Sequence, residues 1–476
     1  MPIRIVISTF AKNFQEMNLR KYTREFRYNF KLAYPIILAM LGHTVVGIID
    51  NIMVGKIGAT ELAAASLANS FVFIALSVGV GFSTAITPLV AAADTENDLE
   101  KGRSVFVNGV FLCTLLGVLL FIILFVLKPF IDLMNQPNEV VIMAKPFLDI
   151  VALSLIPLVA YQGFKQFADG KSLTKYSMYA TIIANLVNVL FNYLLIYGVW
   201  IFPEMGMMGA AYGTLISRLV MLAYFVYVIY RLEIFQPYIQ KIRWKEINLS
   251  MSKYISKIGV PSSMQSLFEV ALFTGAVWIS GMIGTTSLAA NQIALSMSSM
   301  TFMFASGLSV AAMIRVGNQK GLKDYVKMET VAKSIILMTF FLYAGFALFF
   351  VVFHNYIPLL FLDNTDPAQA EINAEVIALA GKLLLIAAIF QISDGIQVTA
   401  LGALRGLQDV NIPMIITFVS YWVIGFPLCI YLALYTDLKA QGIWYGLLAG
   451  LTTAAIFSYF RFHYMAKKYI NNNIKM

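Results

Sequence analysis

Long apolar runs separated by short polar breaks dominate the chain, and the runs exceed what a globular core helix requires. Twelve of them can be traced, at about 32–54, 62–92, 104–127, 140–164, 176–198, 208–230, 254–282, 288–314, 328–353, 376–403, 412–435 and 441–464. Each is long enough for the ~20 residues that cross a hydrocarbon core as a helix. An apolar segment at that depth must satisfy its own backbone, which a helix does within one segment. The pattern therefore predicts an all-α polytopic membrane protein with twelve transmembrane helices.

The pattern also repeats. Ile57-Gly-Ala-Thr-Glu-Leu-Ala-Ala-Ala-Ser-Leu-Ala68 reappears as Ile283-Gly-Thr-Thr-Ser-Leu-Ala-Ala-Asn-Gln-Ile-Ala294, with seven identities at an offset of 226. The same offset pairs Pro35 with Pro261 and Gly81 with Gly307, and an offset of 233 pairs Gly209, Tyr212 and Gly213 with Gly442, Tyr445 and Gly446. Six helices per half is an even number, so both halves enter the membrane from one side. Two six-helix lobes related by a pseudo-twofold axis along the membrane normal are expected, with a binding site between them. The expected divisions are an N-terminal segment 1–31, an N-lobe 32–230, a linker 231–253, a C-lobe 254–464 and a tail 465–476. Pro237, Lys241, Arg243 and Lys245 suit the linker to the cytoplasmic headgroup region.

Composition agrees with a membrane protein: 59% of residues are hydrophobic and 12% charged, against roughly 25% charged in soluble domains. Of the 34 Lys and Arg, the loops on one side hold only Lys56, Lys128, Lys145 and Lys439. Basic residues concentrate in cytoplasmic loops, which places both termini in the cytoplasm. The net charge of +9 then reflects topology, and nucleic-acid binding is not implied. Residues 1–30 lack a continuous apolar core with a cleavage site and read as a cytoplasmic lead-in rather than a signal peptide. Cys113 and Cys429, both inside expected helices, are too few for a disulfide framework and read as packing residues.

Catalytic and nucleotide signatures are missing. Gly170-Lys171-Ser172 resembles the end of a P-loop, but Lys165 stands where the first glycine is required. His43, His354 and His463 form no zinc pair, and no nucleophile elbow occurs. An enzyme is not expected, no cofactor is implied, and an ion gradient is the expected drive.

Charges inside the apolar runs cost ~2.5–3.5 kcal/mol each on insertion scales and so mark function or a partner. Asp50, Glu269 and Asp394 are three such acids, expected to be uncompensated in one bundle, and favour a cation pathway. Residues three, four or seven apart share a helix face. On that basis Gln391, Asp394 and Gln397 form one stripe, Gln265 precedes Glu269 by one turn, and His43 shares the face of Asp50. Asn188 and Asn192 present amide oxygens on one face, and Thr214 can add a hydroxyl. Carboxylate, amide and hydroxyl oxygens form the set that hard cations prefer, which admits Na⁺ at Asp50, Asn188, Asn192 and Thr214. His43, Gln265, Gln391 and Gln397 are candidate lining of a substrate cavity. The 36 Phe, 24 Tyr and 23 Met suit a loosely specific apolar cavity.

Pro35, Asp50-Asn51-Ile52-Met53-Val54-Gly55, Gly58 and Leu62-Ala63-Ala64 resemble the multidrug and toxic compound extrusion (MATE) family. Further matches are Lys171-Ser-Leu-Thr174, Asn188-x-x-x-Asn192, Gly209-Ala-Ala-Tyr-Gly-Thr214 and Ala403-Leu-Arg-Gly406, and Glu269 with Asp394 resembles the acid pair of the NorM-type bacterial branch. The resemblance covers nearly the whole chain. It implies a V-shaped, two-lobe antiporter of the bacterial inner membrane that exports small organic cations or amphipathic drugs in exchange for Na⁺ or H⁺. By position it implies an N-lobe cation site at Asp50, Asn188, Asn192 and Thr214 and a C-lobe site at Glu269 and Asp394. A monomer is expected. Two departures stand out: some members carry a second Asp where this chain has Asn192, and His43 stands where a neutral amide is expected. The alternative is a lipid-linked oligosaccharide flippase on a related bundle, which should line its cavity with several Arg or Lys.

Overall fold

The structure, a computed structural model, describes residues 19–134, 136–239, 246–362 and 370–474. Among the described residues twelve helices are long and apolar enough to cross a membrane. In the first half they are α1 (Phe26–Gly55), α2 (Ala59–Thr95), α3 (Leu99–Met134), α4 (Asn138–Gly170), α5 (Thr174–Ile196) and α6 (Met207–Arg231). In the second half they are α7 (Leu249–Ile283), α8 (Thr285–Gly321), α9 (Tyr325–Phe353), α10 (Glu371–Gly406), α11 (Asn411–Leu434) and α12 (Ala440–Asn473). No strand occurs among the described residues.

Each expected span corresponds to one helix, but the helices outlast the apolar runs. α8 continues past Arg315 and α10 past Arg405. Once a helix is nucleated, each added residue gains a hydrogen bond without a new nucleus, so it continues into polar sequence. The linker residues Lys241, Arg243 and Lys245 lie outside the described residues.

The duplication extends to the turns. Asn97 and Lys323, at equivalent positions, adopt φ of 56° and 57°. Each is followed by an aspartate that caps the next helix: Asp98 accepts from the Lys101 amide at 2.9 Å and Asp324 from that of Lys327 at 3.0 Å. Pro35 and Pro261 lie inside α1 and α7. α2 is broken at Thr84–Ala85 and α4 at Ser154, while Val419–Gly425 of α11 is π-helical.

Buried side chains form one core mainly in the first half, around Leu89, Phe106, Phe167 and Phe225. A second core in the other half surrounds Phe350, Phe390, Tyr421 and Trp444. The halves meet on the side that carries the termini, and the meeting is itself duplicated. Gly81 of α2 packs on Ser262 and Ser263 of α7, while Gly307 of α8 packs on Ala33 and Ile37 of α1. Residues 37 and 263 stand at the repeat offset, as do 81 and 307. Lack of a Cβ lets the backbones approach, as small residues do wherever membrane helices touch.

Polar groups tie this contact. Ser263 Oγ donates to the Val78 carbonyl at 2.9 Å, and Thr95 Oγ1 to that of Asn318 at 3.1 Å. Arg315 of α8, buried, donates to Glu25 Oε2 at 2.8 Å and to Asn29 Oδ1 at 2.5 Å, with its guanidinium over the Tyr28 ring. Asn29 in turn donates to Ser334 Oγ of α9 at 3.0 Å.

Candidate functional site

Asp50 lies one turn from the end of α1, half-buried, opposite the polar face of α5. Asn192 Nδ2 donates to Asp50 Oδ1 at 2.6 Å and to Asn188 Oδ1 at 3.3 Å. The three residues thus form a chain from carboxylate to amide to amide. Asn188 and Asn192 are buried, and Asn192 Oδ1 has no hydrogen-bond partner among the described residues. A buried polar atom without a partner points to an ion or water that would complete it.

Gly213 of α6 seats directly on Asn192 Oδ1, so a side chain there would collide with the amide. This explains why a glycine precedes Thr214. The Thr214 hydroxyl takes no part in the hydrogen bonds of the cluster, and only its carbonyl is engaged, by Ser217 Oγ at 2.8 Å.

Asp50 has a basic neighbour in the fold, contrary to the expectation of an uncompensated acid, although it forms no ion pair among the described residues. The charge of Arg218, on α6, acts on both Asp50 and His43, which places all three about one region of the first half. Arg218 is held from behind by a 2.6 Å bond from Nη1 to Ser154 Oγ, at the break in α4.

The second cluster lies inside the other half. Glu269 of α7 and Asp394 of α10 act electrostatically on each other, and Tyr421 lies in the field of both. Tyr421 belongs to the π-helical segment of α11, a departure from α-helix that is frequent at functional positions. Asp394 Oδ1 and both amide atoms of Gln391 are buried without partners among the described residues, and the Tyr421 hydroxyl approaches Gln397 without hydrogen-bond geometry. On α10, Gly395 faces the ring of Tyr343, which a Cβ at that position would approach to 3.0 Å. That tyrosine is fixed by donating to the Thr301 carbonyl at 2.6 Å and accepting from the Ala305 amide at 3.0 Å.

Glu269 also has a cationic neighbour. Arg405 acts on it electrostatically and donates to Gln265 Oε1 at 2.9 Å. Gln265 Nε2 donates to the Val410 carbonyl at 3.1 Å, so both ends of this amide are engaged in packing. Cys429, expected to pack, is buried and donates to the Ile443 carbonyl at 3.2 Å.

The structure therefore assembles Asp50, Asn188 and Asn192 into one cluster and Glu269, Gln391, Asp394 and Gln397 into another. Arg218, Arg405, Tyr421 and Gly213 were not read as site residues in the sequence. The signals for three of them were modest: an arginine inside an apolar run, an arginine within the Ala403-Leu-Arg-Gly406 motif, and a repeated glycine; Tyr421 carried none. Among the described residues no three His, Cys, Asp or Glu side chains gather where they could hold a metal ion, so a cation here needs amide or other oxygens.

Comparisons with known proteins bear on the family and the fold. The MatE family model matches residues 35–194 and 261–431, one copy in each half. A probable multidrug resistance protein NorM of Rhizobium meliloti is 33% identical over 93% of this chain and 94% of its own length. The multidrug resistance protein NorM of Photobacterium profundum is 31% identical over 92% and 95%. Among solved structures, the eukaryotic MATE transporter AtDTX14 superposes with a TM-score of 0.84 at 19% identity, covering 95% of this chain and 99% of that one. An outward-facing multidrug resistance MATE family transporter gives 0.82 at 20% identity, covering 93% and 96%. With twelve membrane helices, a family model matched in both halves and bacterial relatives aligned along almost their full length, the chain belongs to the MatE family, the MATE transporters.

Proposed function

We propose that this protein is a secondary active efflux antiporter that exports organic cations or amphipathic drugs in exchange for Na⁺ or H⁺. The observation that carries the reading is the Asp50–Asn192–Asn188 chain with its unpartnered buried oxygen. A half-buried carboxylate with two amide oxygens fits a hard cation in its donor set, and the same carboxylate can instead take a proton. Na⁺ and H⁺ then compete at one place. Glu269 and Asp394, two acids with a buried and unpartnered oxygen between helices, supply a second region of negative charge for a cationic substrate or a second ion.

Coupling needs two conformations that ligands favour unequally. The halves touch on the side of the termini through the duplicated glycine contacts and the Arg315 ties. With that side in the cytoplasm, as the distribution of Lys and Arg indicates, the contact closes the inner face, and an outward-open arrangement of the two halves follows. Cation binding from outside would then favour the return to an inward-open state. Matches to multidrug resistance relatives favour this reading over the flippase.

The test is efflux of a fluorescent organic cation from proteoliposomes under an imposed Na⁺ gradient or an imposed pH gradient, applied separately. One gradient accelerates efflux by the wild type, and Asp50→Asn abolishes that acceleration while still inserting. Glu269→Gln reduces export of cationic dyes more than of neutral ones. Wild-type acceleration in Asp50→Asn would overturn the N-lobe assignment, and a dye indifferent to both gradients would overturn antiport.

A further inference from the structure

We infer that the groove between α10 and α12, on the membrane-facing side of the second half, is a binding site for one anionic phospholipid. It is a cavity of ≈ 510 Å³ lined by Lys382, Leu385, Ile386 and Ile389 of α10 and by Gln441, Tyr445 and Leu448 of α12. Residues spaced by three and four along each helix form its two walls.

The groove is separate from the acid cluster. Leu385 precedes Asp394 by nine residues, two and a half helical turns, so it lies on the opposite face of α10. That face looks outward: Ile389 is 60% exposed and Tyr445 41%. Apolar side chains exposed on a membrane helix away from its polar interior meet lipid.

Depth follows from α12. This helix begins at Ala440 on the side opposite the termini, so Gln441 and Tyr445 lie in its first two turns. Lys382 shares their cavity and hence their level, near the boundary of apolar and polar membrane. Tyr435, at the end of α11 and 75% exposed, stands at the same side, where amphipathic rings concentrate.

Charge identifies the occupant. Two other basic residues of this side are neutralised by carboxylates, Lys128 by Asp149 at 2.9 Å and Lys145 by Asp132 at 2.7 Å. Lys382 is exposed and forms no ion pair among the described residues. An ammonium group with a neighbouring amide and phenol, above an apolar trough, complements a phosphodiester with an acyl chain below it. The phosphate is placed at Lys382, Gln441 and Tyr445, and the chain along Leu385, Ile389 and Leu448. Such a lipid is a resident of the surface and is not transported through the cleft.

Native mass spectrometry of the purified full chain tests this, with 1-palmitoyl-2-oleoyl phosphatidylglycerol, the matching phosphatidylcholine, or inorganic phosphate added in parallel. The wild type retains one phosphatidylglycerol in preference to phosphatidylcholine. Lys382→Gln weakens that retention about fivefold, the worth of one basic group at an anionic surface. Lys382→Arg restores it, and Lys439→Gln, on the same side but outside the groove, leaves it unchanged. Equal retention in Lys382→Gln overturns the site, as does equal loss in Lys439→Gln. Equal binding of phosphatidylcholine overturns recognition by charge, and displacement of the lipid by inorganic phosphate overturns the role of the apolar trough. Unchanged dye efflux by Lys382→Gln confirms that the variant is folded.

Discussion

At the scale of single residues, the decisive feature is what faces each acid within the helices. Asp50 accepts from Asn192 and lies in the field of Arg218, whose position is set by Ser154. If Asp50 binds a coupling cation as proposed, a fixed positive charge beside it opposes that cation and keeps its binding reversible. Arg218→Gln therefore lowers the half-saturating concentration of the coupling cation about fivefold, the effect of ~1 kcal/mol of like-charge repulsion in partly solvated surroundings. Arg218→Lys leaves that concentration near the wild-type value. The measurement is dye efflux against external cation concentration, and an unchanged midpoint in Arg218→Gln would show that Arg218 serves packing alone. The acids themselves could be read in the sequence, because a carboxylate inside an apolar run is conspicuous without any partner. Their counter-charges could not. Arg218 stands 168 residues beyond Asp50 and Arg405 stands 136 beyond Glu269, and helical periodicity relates only residues on one helix. Gln265 illustrates the same limit: it falls on the face of Glu269 by spacing, yet both ends of its amide are taken by Arg405 and Val410.

At the scale of helices, glycine governs which pairs approach closely. The repeated motif places Gly209 of α6 against the backbone of Leu195 and Ile196, and Gly442 of α12 against that of Leu432 and Ala433. One turn later Gly213 abuts Asn192 and Gly446 abuts Cys429. The two lobes thus share a scaffold and differ in what it presents, an amide beside the first acid and a thiol in the other half. The repeat of these glycines was legible as sequence; the partner on the neighbouring helix was not, since a glycine carries no mark of what it admits. A Cβ at Gly442 would stand 2.5 Å from the Leu432 carbonyl carbon, a backbone atom that cannot rotate away. Gly442→Ala therefore destabilises by about 1–3 kcal/mol, the usual effect of overpacking, and lowers the midpoint of thermal unfolding in detergent. Gly345 of α9 has open space where its Cβ would be, so Gly345→Ala leaves the midpoint within error or raises it. Equal shifts in the two variants would show that helix propensity, and not close approach, sets the response.

For the whole molecule, the duplicated sequence has become a duplicated interface, and this bears directly on transport. Gly81 meets Ser263 and Gly307 meets Ile37, two copies of one contact about the pseudo-twofold axis. The Arg315 bonds to Glu25 and Asn29 brace the same region. If alternating access is a rocking of one lobe against the other, this surface must separate in every cycle, and a covalent link across it must stop transport. Positions 37 and 307 suit such a link. A Cβ on residue 307 would overlap Ile37 Cγ1, which brings the two Cβ positions near the ~3.8 Å that a disulfide spans, and replacing Ile37 by cysteine removes the overlapping atom. The native Cys113 and Cys429 are buried and do not compete for oxidant. Oxidised Ile37→Cys/Gly307→Cys is expected to lose gradient-driven efflux in proteoliposomes, to regain it on reduction, and to show neither change in the single variants. Retained efflux with the bond confirmed by mass spectrometry would show that the lobes do not part here, and access would then have to alternate by bending within a lobe, at Pro35 of α1 or at the breaks in α2 and α4.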